Sequence, residues 1–267
     1  MPKALLRQFE SFSMKERIDV LLVNRGLAPS REKAQAYLMA GSVTVNGRRE
    51  TKAGARFETE ADIQIAEDPI PYVSRGGLKL EAALDSWQIN LEGAVCVDIG
   101  ASTGGFTDLM LTRGAKRVYA IDVGYGQLDY KLRNDPRVVN MEKTNIRLLD
   151  AGAIPEKADF ITIDVSFISL KLVLPVAVRL ISREAANAAP KIVCLVKPQF
   201  EAERAEVGKG GIIRDPKVHE SVLKKVKGYA EDNGLLVISE LESPIKGTKG
   251  NKEYFLLLSA SGGGANE

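Results

Sequence analysis

Four charged side chains stand where an apolar run of the sequence ends: Asp98 after AVCV, Asp122 after RVYAI, Asp164 after FITI and Lys197 after KIVCLV. Carboxylates accept hydrogen bonds from hydroxyl and ammonium groups, and a lysine supplies a positive charge or, once deprotonated, a base. Packing alone gives no reason for four strands to end in this way. If the runs are parallel strands of one sheet, their carboxyl ends share the edge where such sheets bind ligands. The pattern therefore predicts a polar site at that edge.

A glycine-rich loop follows the first of these charges and reads Asp98-Ile-Gly-Ala-Ser-Thr-Gly-Gly. Its glycines would let the backbone approach a ligand closely at the amino end of a helix. Asp122, 22 residues past Gly100, is placed to accept hydrogen bonds from ribose hydroxyls. A dinucleotide site requires GxGxxG, but Ser102 occupies the second glycine position.

Together with Asp98, which suits the cationic end of an amino acid, this loop favours S-adenosylmethionine over NAD; a purely structural loop is the alternative. The predicted cofactor-binding residues are Asp98, Gly100, Ala101, Ser102, Thr103, Gly104, Gly105, Asp122 and Asn145, the last at the end of the weaker strand VVNMEKTN.

Helices alternate with apolar strands from residue 75 to residue 260. Strands are predicted at 94–100, 117–124, 138–145, 159–167 and 191–198, helices at 74–87, 104–114, 170–184 and 215–229, and a final hairpin from 235–247 and 251–260. Such alternation predicts an α/β fold, a Rossmann-like and mostly parallel sheet covered on both faces, with an antiparallel terminal hairpin.

Residues 14–66 predict a separate small α+β domain of two short helices and a small sheet. Ser13 and Glu16 are spaced as a capping box for the first helix, and Pro29-Ser30 opens the second, which ends at Gly41. Asn46-Gly47 between two alternating runs predicts a tight hairpin, because both turn positions need positive φ.

The charge of the chain is uneven. Residues 1–56 contain eleven Lys/Arg and five Asp/Glu, a net charge of +6, so the remainder carries −4. A basic segment ahead of an acidic body fits a polyanion-binding module attached to a catalytic domain, or simply a solvated surface. The predicted boundaries are a flexible leader at 1–13, a stiff linker at 67–74 and a disordered tail at 261–267.

The run RIDVLLVNRGLAPSREKAQAYLMAGSVTVNGRRE resembles the αL RNA-binding domain that a ribosomal protein, pseudouridine synthases and some tRNA synthetases share. The resemblance implies RNA binding through shape and phosphate contacts; a dimerisation or packing role is the alternative. The implied RNA-binding residues are Arg17, Arg25, Arg31, Lys33, Arg48 and Arg49.

Two lysines and two carboxylates, Lys79 in SRGGLKL, Asp164 in IDVSF, Lys197 in VKPQFE and Glu253 in KEYF, resemble the Lys-Asp-Lys-Glu tetrad of FtsJ-type ribose 2′-O-methyltransferases. From about residue 14 to 260 the chain resembles the TlyA family, whose members carry the names of hemolysins and of rRNA 2′-O-methyltransferases. The resemblance implies methyl transfer to a ribose of rRNA or of ribosomal subunits. Lys197 would act as the base and Lys79 as a nearby cation, although the roles of the two lysines can be exchanged.

The sequence lacks the residues that several other methyl-transfer reactions and metal sites require. Methylation of a base amine uses prolines directly after the strand-end aspartate, whereas Asp164 is followed by Val-Ser-Phe. Cytosine C5 methylation needs a strand-end thiolate, whereas Cys96 and Cys194 fall inside apolar runs and predict buried thiols. Two distant cysteines and one histidine make no zinc site, so no metal is expected. His219 is predicted to be solvated, and the loop at 207–215 to be either a mobile flap or a long connection.

Membrane insertion has little support, because the longest apolar run, 170–181, is interrupted by Lys171, Pro175 and Arg179. The amino-terminal residues have no secretory signal pattern, and the two predicted buried thiols fit a cytoplasmic protein. The remaining alternatives are an RNA-binding protein with an inactive methyltransferase fold and a hemolysin. The oligomeric state is left open.

Overall fold

The computed structural model describes residues 15–65, 71–182, 190–247 and 250–260. The chain divides into two compact units between Pro71 and Tyr72. The predicted leader at 1–13 and tail at 261–267 lie outside the described residues. In the parts of the chain that are described, no helix is long and apolar enough to cross a membrane.

The first unit contains two helices and two small antiparallel sheets. Its elements are β1 (Lys15–Arg17), α1 (Ile18–Asn24), α2 (Arg31–Ala40), β2 (Val43–Val45), β3 (Arg48–Glu50), β4 (Arg56–Glu58) and β5 (Ile63–Ile65). Strand β1 pairs with β4, and the second sheet has the order β3-β2-β5. Ile18, Leu22, Leu38 and Val43 are fully buried between the helices and this sheet.

The beginning of the first helix differs from the prediction. Lys15–Arg17 form strand β1 against Arg56–Glu58, and α1 begins only at Ile18. Glu16 therefore caps nothing and accepts a hydrogen bond from the Asn24 side chain instead, while Ser13 lies outside the described residues. The capping-box prediction is wrong here because the pairing partner of β1 is some forty residues away and leaves no local signal.

The second helix and the hairpin are confirmed. The Ser30 hydroxyl accepts a hydrogen bond from the Lys33 amide at 3.2 Å, and α2 ends at Gly41 with φ of 70°. Asn46 and Gly47 have φ of 50° and 73°, as the tight turn requires.

The second unit is built on a seven-stranded sheet. Its elements are α3 (Gly76–Ser86), β6 (Val95–Ile99), α4 (Gly105–Thr112), β7 (Arg117–Ile121), α5 (Tyr130–Arg133), β8 (Val138–Met141), β9 (Phe160–Ile163), α6 (Leu170–Leu180), β10 (Lys191–Val196), α7 (Pro198–Glu201), α8 (Pro216–Asp232), β11 (Leu235–Glu242) and β12 (Tyr254–Ala260). The sheet order is β11-β12-β10-β9-β6-β7-β8.

The predicted α/β class is confirmed by this topology. Strands β10, β9, β6, β7 and β8 run parallel, and β12 lies antiparallel between β10 and β11. Val196 at the carboxyl end of β10 is paired with Tyr254 at the start of β12. The antiparallel return therefore brings the residue before Tyr254 to the same edge as the ends of the parallel strands.

Three details of this unit differ from the sequence-based expectation. Helix α6 ends at Leu180 and not at residue 184, because Ile181 is extended and bridges to Ala158. The short helices α5 and α7 were not predicted. Tyr72–Ser74, part of the predicted linker, pack on the second unit, where the Tyr72 hydroxyl donates to Glu81 at 2.6 Å.

Candidate active site

The glycine-rich loop joins β6 to α4 and has positive φ at Gly100, Ser102 and Gly104. Gly100 has φ of 89° and Gly104 has φ of 95°, a conformation that side-chain-bearing residues rarely adopt. A Cβ atom at Gly100 would clash with the Asp164 carbonyl oxygen, and one at Gly105 would clash with Ser74 Oγ. The neighbouring protein atoms therefore require glycine at these positions, in addition to any ligand.

Asp122 stabilises this loop from the end of β7. Its Oδ2 accepts a hydrogen bond from the Ser102 amide at 2.8 Å, and its Oδ1 accepts one from the Gly124 amide at 2.7 Å. Each carboxylate oxygen has a second lone pair for a ligand hydroxyl.

Asp122 lines a cavity of about 420 Å³, which lies in the size range of small-molecule sites. We call this the larger cavity; its polar lining includes Gly100, Ser102, Asp122, Asn145 and Asp164, and its apolar lining includes Ile121, Val123, Ile146 and Ile168.

Asp98 does not belong to the lining of this cavity. Its side chain is fully buried, and it accepts hydrogen bonds from the hydroxyls of Thr107 at 2.7 Å and Thr162 at 2.9 Å. Burial raises the pKa of Asp98 to about 6. The structure thus places this carboxylate between α4 and β9 and outside the lining of the larger cavity.

The buried Asp98 carboxyl predicts a pH dependence of stability. Because the folded protein binds this proton more tightly than the unfolded chain does, the free energy of unfolding falls as the pH rises from about 4 to about 6. Asp98→Asn should remove this part of the decline. Urea unfolding of both proteins below, within and above that interval measures it, and equal pH slopes for the two proteins would contradict the assignment.

The four tetrad residues line one cavity of about 260 Å³, which we call the tetrad cavity. Lys79 Nζ lies 2.5 Å from Glu253 Oε2, and these side chains are only 8% and 3% exposed. Lys197 Nζ lies 2.7 Å from Asp164 Oδ1 and donates a hydrogen bond to Ser166 Oγ at 2.9 Å. The tetrad is therefore two ion pairs, and each lysine has its own carboxylate.

The tetrad cavity and the larger cavity have a common wall. Gly100, Ser102 and Asp164 line both of them. Asp164 thus contacts both the space that fits a nucleoside-sized ligand and the space into which the lysines point.

An exposed aromatic residue next to the tetrad was missed by the sequence analysis. Phe167 is 91% exposed, has φ of 64° and packs with its ring centroid 4.9 Å from that of Phe200. A bulky residue with positive φ is a strained outlier of the kind that clusters at functional sites. The signal in the sequence was an aromatic residue three positions after the strand-end Asp164.

Two other expectations can now be judged. Cys96 and Cys194 are buried, as predicted, and burial raises the pKa of both thiols. The prediction that His219 is solvated is wrong: the ring is buried, with Nε2 3.2 Å from the Ile213 carbonyl oxygen and Nδ1 3.2 Å from the Tyr254 hydroxyl. The polar helix sequence around His219 gave no sign of these partners.

The loop at 207–215 has contacts that favour the interpretation as a fixed connection. The buried Asn251 side chain donates to the Gly211 carbonyl at 2.8 Å and accepts from the Ile213 amide at 3.0 Å. These two bonds fasten the loop to the residues that precede β12.

In the first unit, a fully buried aspartate organises two of the predicted RNA-binding arginines. Asp19 accepts two hydrogen bonds from Arg17 at 2.9 Å, one from Arg31 at 3.0 Å and one from Gln35 at 3.0 Å. Arg17 holds the pKa of the Asp19 carboxyl far below its ordinary value. Both arginine side chains remain partly exposed, at 42% for Arg17 and 52% for Arg31.

The other candidates of this unit differ in their surroundings. Arg25 donates to the carbonyl oxygens of Ala61 and Thr59, and Arg49 donates to that of Gly41. Arg48 is exposed, and Lys33 Nζ lies 5.8 Å from the centre of the Tyr37 ring.

Residues 72–260 match the family described as FtsJ-like methyltransferase, and residues 16–63 match the S4 domain. The chain is 48% identical over 253 residues to a Bacillus subtilis protein named "Putative rRNA methyltransferase YqxC", covering 94% of this chain and 88% of that protein. It is 45% identical over 243 residues to the Mycobacterium tuberculosis protein "16S/23S rRNA (cytidine-2'-O)-methyltransferase TlyA", covering 91% and 89%.

A solved structure supports the same grouping. The structure named "Putative hemolysin from Streptococcus thermophilus" has 44% sequence identity and a TM-score of 0.71, and the match covers 92% of this chain and 88% of that one. The chain therefore belongs to the TlyA family of FtsJ-like methyltransferases and has an S4 domain ahead of its methyltransferase domain.

Proposed function

We propose that this protein transfers a methyl group from S-adenosylmethionine to a ribose 2′-hydroxyl of rRNA, either free or within a ribosomal subunit. The observation that carries the proposal is the common wall of Gly100, Ser102 and Asp164 between the larger cavity and the tetrad cavity. The Mycobacterium tuberculosis relative, whose name specifies an rRNA cytidine 2′-O-methyltransferase, supports the same reaction.

The larger cavity fits S-adenosylmethionine in its chemistry. The carboxylate of Asp122 can accept hydrogen bonds from ribose hydroxyls, and the apolar side chains of Ile146 and Ile168 can contact an adenine. Asp164 supplies a negative charge where a sulfonium would meet the tetrad cavity. When bound, S-adenosylmethionine supplies an electrophilic methyl group.

The four tetrad residues are assigned different roles in methyl transfer. Methyl transfer needs the ribose oxygen held in line with the methyl group, which is mainly a matter of orientation. We assign Lys197 as the base that removes the hydroxyl proton, with Asp164 and Ser166 fixing its amine. Lys79, held by Glu253, places a fixed positive charge in the same cavity. If Lys197 serves only as a charge, Lys79 takes the role of the base.

Asp122 is expected to contribute to cofactor affinity. Asp122→Ala should weaken S-adenosylmethionine binding by about 1–3 kcal/mol, because charge-assisted hydrogen bonds are lost. Isothermal titration calorimetry measures this, with Asp150→Ala as the matched control, since Asp150 is exposed and accepts only a local amide bond. NAD, titrated in parallel, should not bind; tight NAD binding would refute the assignment of the larger cavity.

The S4 domain is proposed to supply RNA affinity through phosphate contacts. Arg31→Ala with Lys33→Ala should lower the slope of log affinity against log salt by about 1 for each phosphate that the variant no longer neutralises. The domain should stay folded, because Asp19 keeps Arg17 and Gln35 as partners. Binding of rRNA across a salt series measures the slope, and Lys15→Ala, at an exposed pair with Glu58, is the control. An unchanged slope would show that neither side chain contacts phosphate.

The position of the transferred methyl group tests the proposed function in vitro. Purified protein, rRNA or ribosomal subunits, and S-adenosylmethionine with a labelled methyl group are incubated, and the RNA is digested with alkali. A 2′-O-methyl group blocks cleavage of the adjacent phosphodiester, so the label should appear in alkali-resistant dinucleotides. Label in mononucleotides would indicate base methylation, and no label would favour an RNA-binding protein without activity.

A further inference from the structure

A buried carboxylate outside both cavities joins the two loops that carry the Lys197–Asp164 pair. Glu201 is the last residue of α7 and is only 5% exposed. Its Oε2 accepts a hydrogen bond from Ser169 Oγ at 2.7 Å, and its Oε1 accepts one from the Leu170 amide at 2.7 Å. Neither the larger cavity nor the tetrad cavity includes Glu201 in its lining.

The positions of these residues in the chain explain what this contact connects. Lys197 stands directly before α7, so Glu201 lies one helical turn beyond it. Ser169 stands directly before α6 and five residues beyond Asp164. The hydrogen bonds of Glu201 therefore close a second bridge between the loop after β9 and the loop after β10. The first bridge is the contact of Lys197 with Asp164 and Ser166.

Capping of α6 does not by itself explain a buried acid at this place. Ser169 already caps the helix, because its Oγ accepts a hydrogen bond from the Lys171 amide at 3.2 Å. Burial raises the pKa of Glu201, which shows that the site disfavours the charged form. A carboxylate is nevertheless the group that can accept from both donors at once, one with each oxygen. The double acceptance fixes α7 relative to the start of α6.

We propose that Glu201 is a positioning residue for methyl transfer: by fixing α7 against the amino end of α6, it holds the Lys197 amine between Asp164 and Ser166 and directed into the tetrad cavity. The inference rests on the proposed function, since it assigns a supporting residue to the proposed base. Glu201 does not contact substrate or cofactor. The Phe167–Phe200 contact lies on the same two loops and depends on the same alignment.

Glu201→Gln tests the proposal, because the glutamine amide keeps a single acceptor oxygen, so one of the two donors loses the acceptor that it has in the wild-type protein. The value of kcat should fall about tenfold or more, since small displacements of a reacting group are costly. The dissociation constant and KM for S-adenosylmethionine should change less than about twofold, because only the transition state uses the alignment. The pH profile of kcat should also shift, since the contacts of the Lys197 amine with Asp164 and Ser166 would change, whereas a loss of folded protein would scale the profile without moving it.

Glu203→Gln is the matched control, because Glu203 follows on the same segment but its side chain is 80% exposed and pairs with the half-buried Lys225. It should retain the wild-type kcat and pH profile. If Glu201→Gln does not fold, Ser169→Ala removes one of the two hydrogen bonds together with the cap of α6 and should lower kcat to a smaller degree, again with little change in KM for S-adenosylmethionine. An unchanged kcat and pH profile in the folded variant would overturn the inference. Absence of methyl transfer by the wild-type protein would instead overturn the proposed function.

Discussion

Replacing Lys197 by alanine is expected to abolish methyl transfer while cofactor affinity stays within about a factor of ten of the wild-type value. The amine lies 2.7 Å from Asp164 Oδ1 and 2.9 Å from Ser166 Oγ, in a cavity that it shares with the other three tetrad residues. A group in this position acts on the hydroxyl that is losing its proton, so its removal affects the transition state far more than the bound cofactor. Single-turnover rates and calorimetry on the same preparation measure the two quantities.

Lys197→Arg separates a base from a fixed charge. A guanidinium stays protonated at any pH that the protein tolerates, so it keeps the charge but cannot accept the proton. The arginine variant should therefore be as inactive as the alanine variant. Retained activity in Lys197→Arg would contradict the assignment and would make Lys79 the next candidate.

Glu253→Gln is expected to have the largest effect on stability. The change leaves the Lys79 ammonium group buried without its carboxylate, and breaking a buried pair in this way costs about 3–5 kcal/mol. Methyl transfer should also be lost, because the lysine is no longer held in the tetrad cavity. Urea unfolding measures the free energy, with Glu242→Gln as the control. Glu242 lies in β11, is half exposed and pairs with the exposed Lys252, so its loss should cost less than about 0.5 kcal/mol.

The alternative to a role in the reaction is that Lys79 and Glu253 form a purely structural ion pair. A double variant decides between these two roles. Lys79→Met combined with Glu253→Gln removes both charges and should recover much of the stability that Glu253→Gln alone loses. We expect that the double variant still transfers no methyl group. Recovery of both stability and activity would show that the pair has no part in the reaction.

The tetrad cavity could be predicted from the sequence because it depends on topology. Apolar runs that end in Asp164 and Lys197 become neighbouring parallel strands, and the carboxyl ends of such strands lie on one edge. Glu253 joins them because the terminal hairpin returns antiparallel next to β10. Lys79 and Glu253 were both named only through the resemblance of their motifs, since nothing in the periodicity of α3 or of the terminal hairpin marks them.

Asp98 lies at a different point of its strand from the other three charged residues. Asp122, Asp164 and Lys197 each follow the last residue of their strand, but Asp98 lies inside β6, with Ile99 still to come. Within the sheet its register partners are Ala120 and Thr162, so the side chain is buried beside a neighbouring strand. A shift of one residue along a strand reverses the face on which a side chain lies.

Other features depend on partners that are distant in sequence and could not be predicted locally. The contacts of His219 with Tyr254 and those of Asp19 with Arg31 and Gln35 arise only when separate elements pack together. Positive φ at Phe167 has no reliable signal in a non-glycine residue.

Mass spectrometry of rRNA nucleosides tests the central claim most directly. The comparison uses wild-type cells and a strain from which the gene is deleted. It also uses the deletion strain complemented with either the wild-type gene or the gene for Lys197→Ala. We predict that one 2′-O-methylated nucleoside disappears on deletion, returns with the wild-type gene and does not return with Lys197→Ala. Loss of a base-methylated nucleoside on deletion, or an unchanged nucleoside profile, would contradict the account.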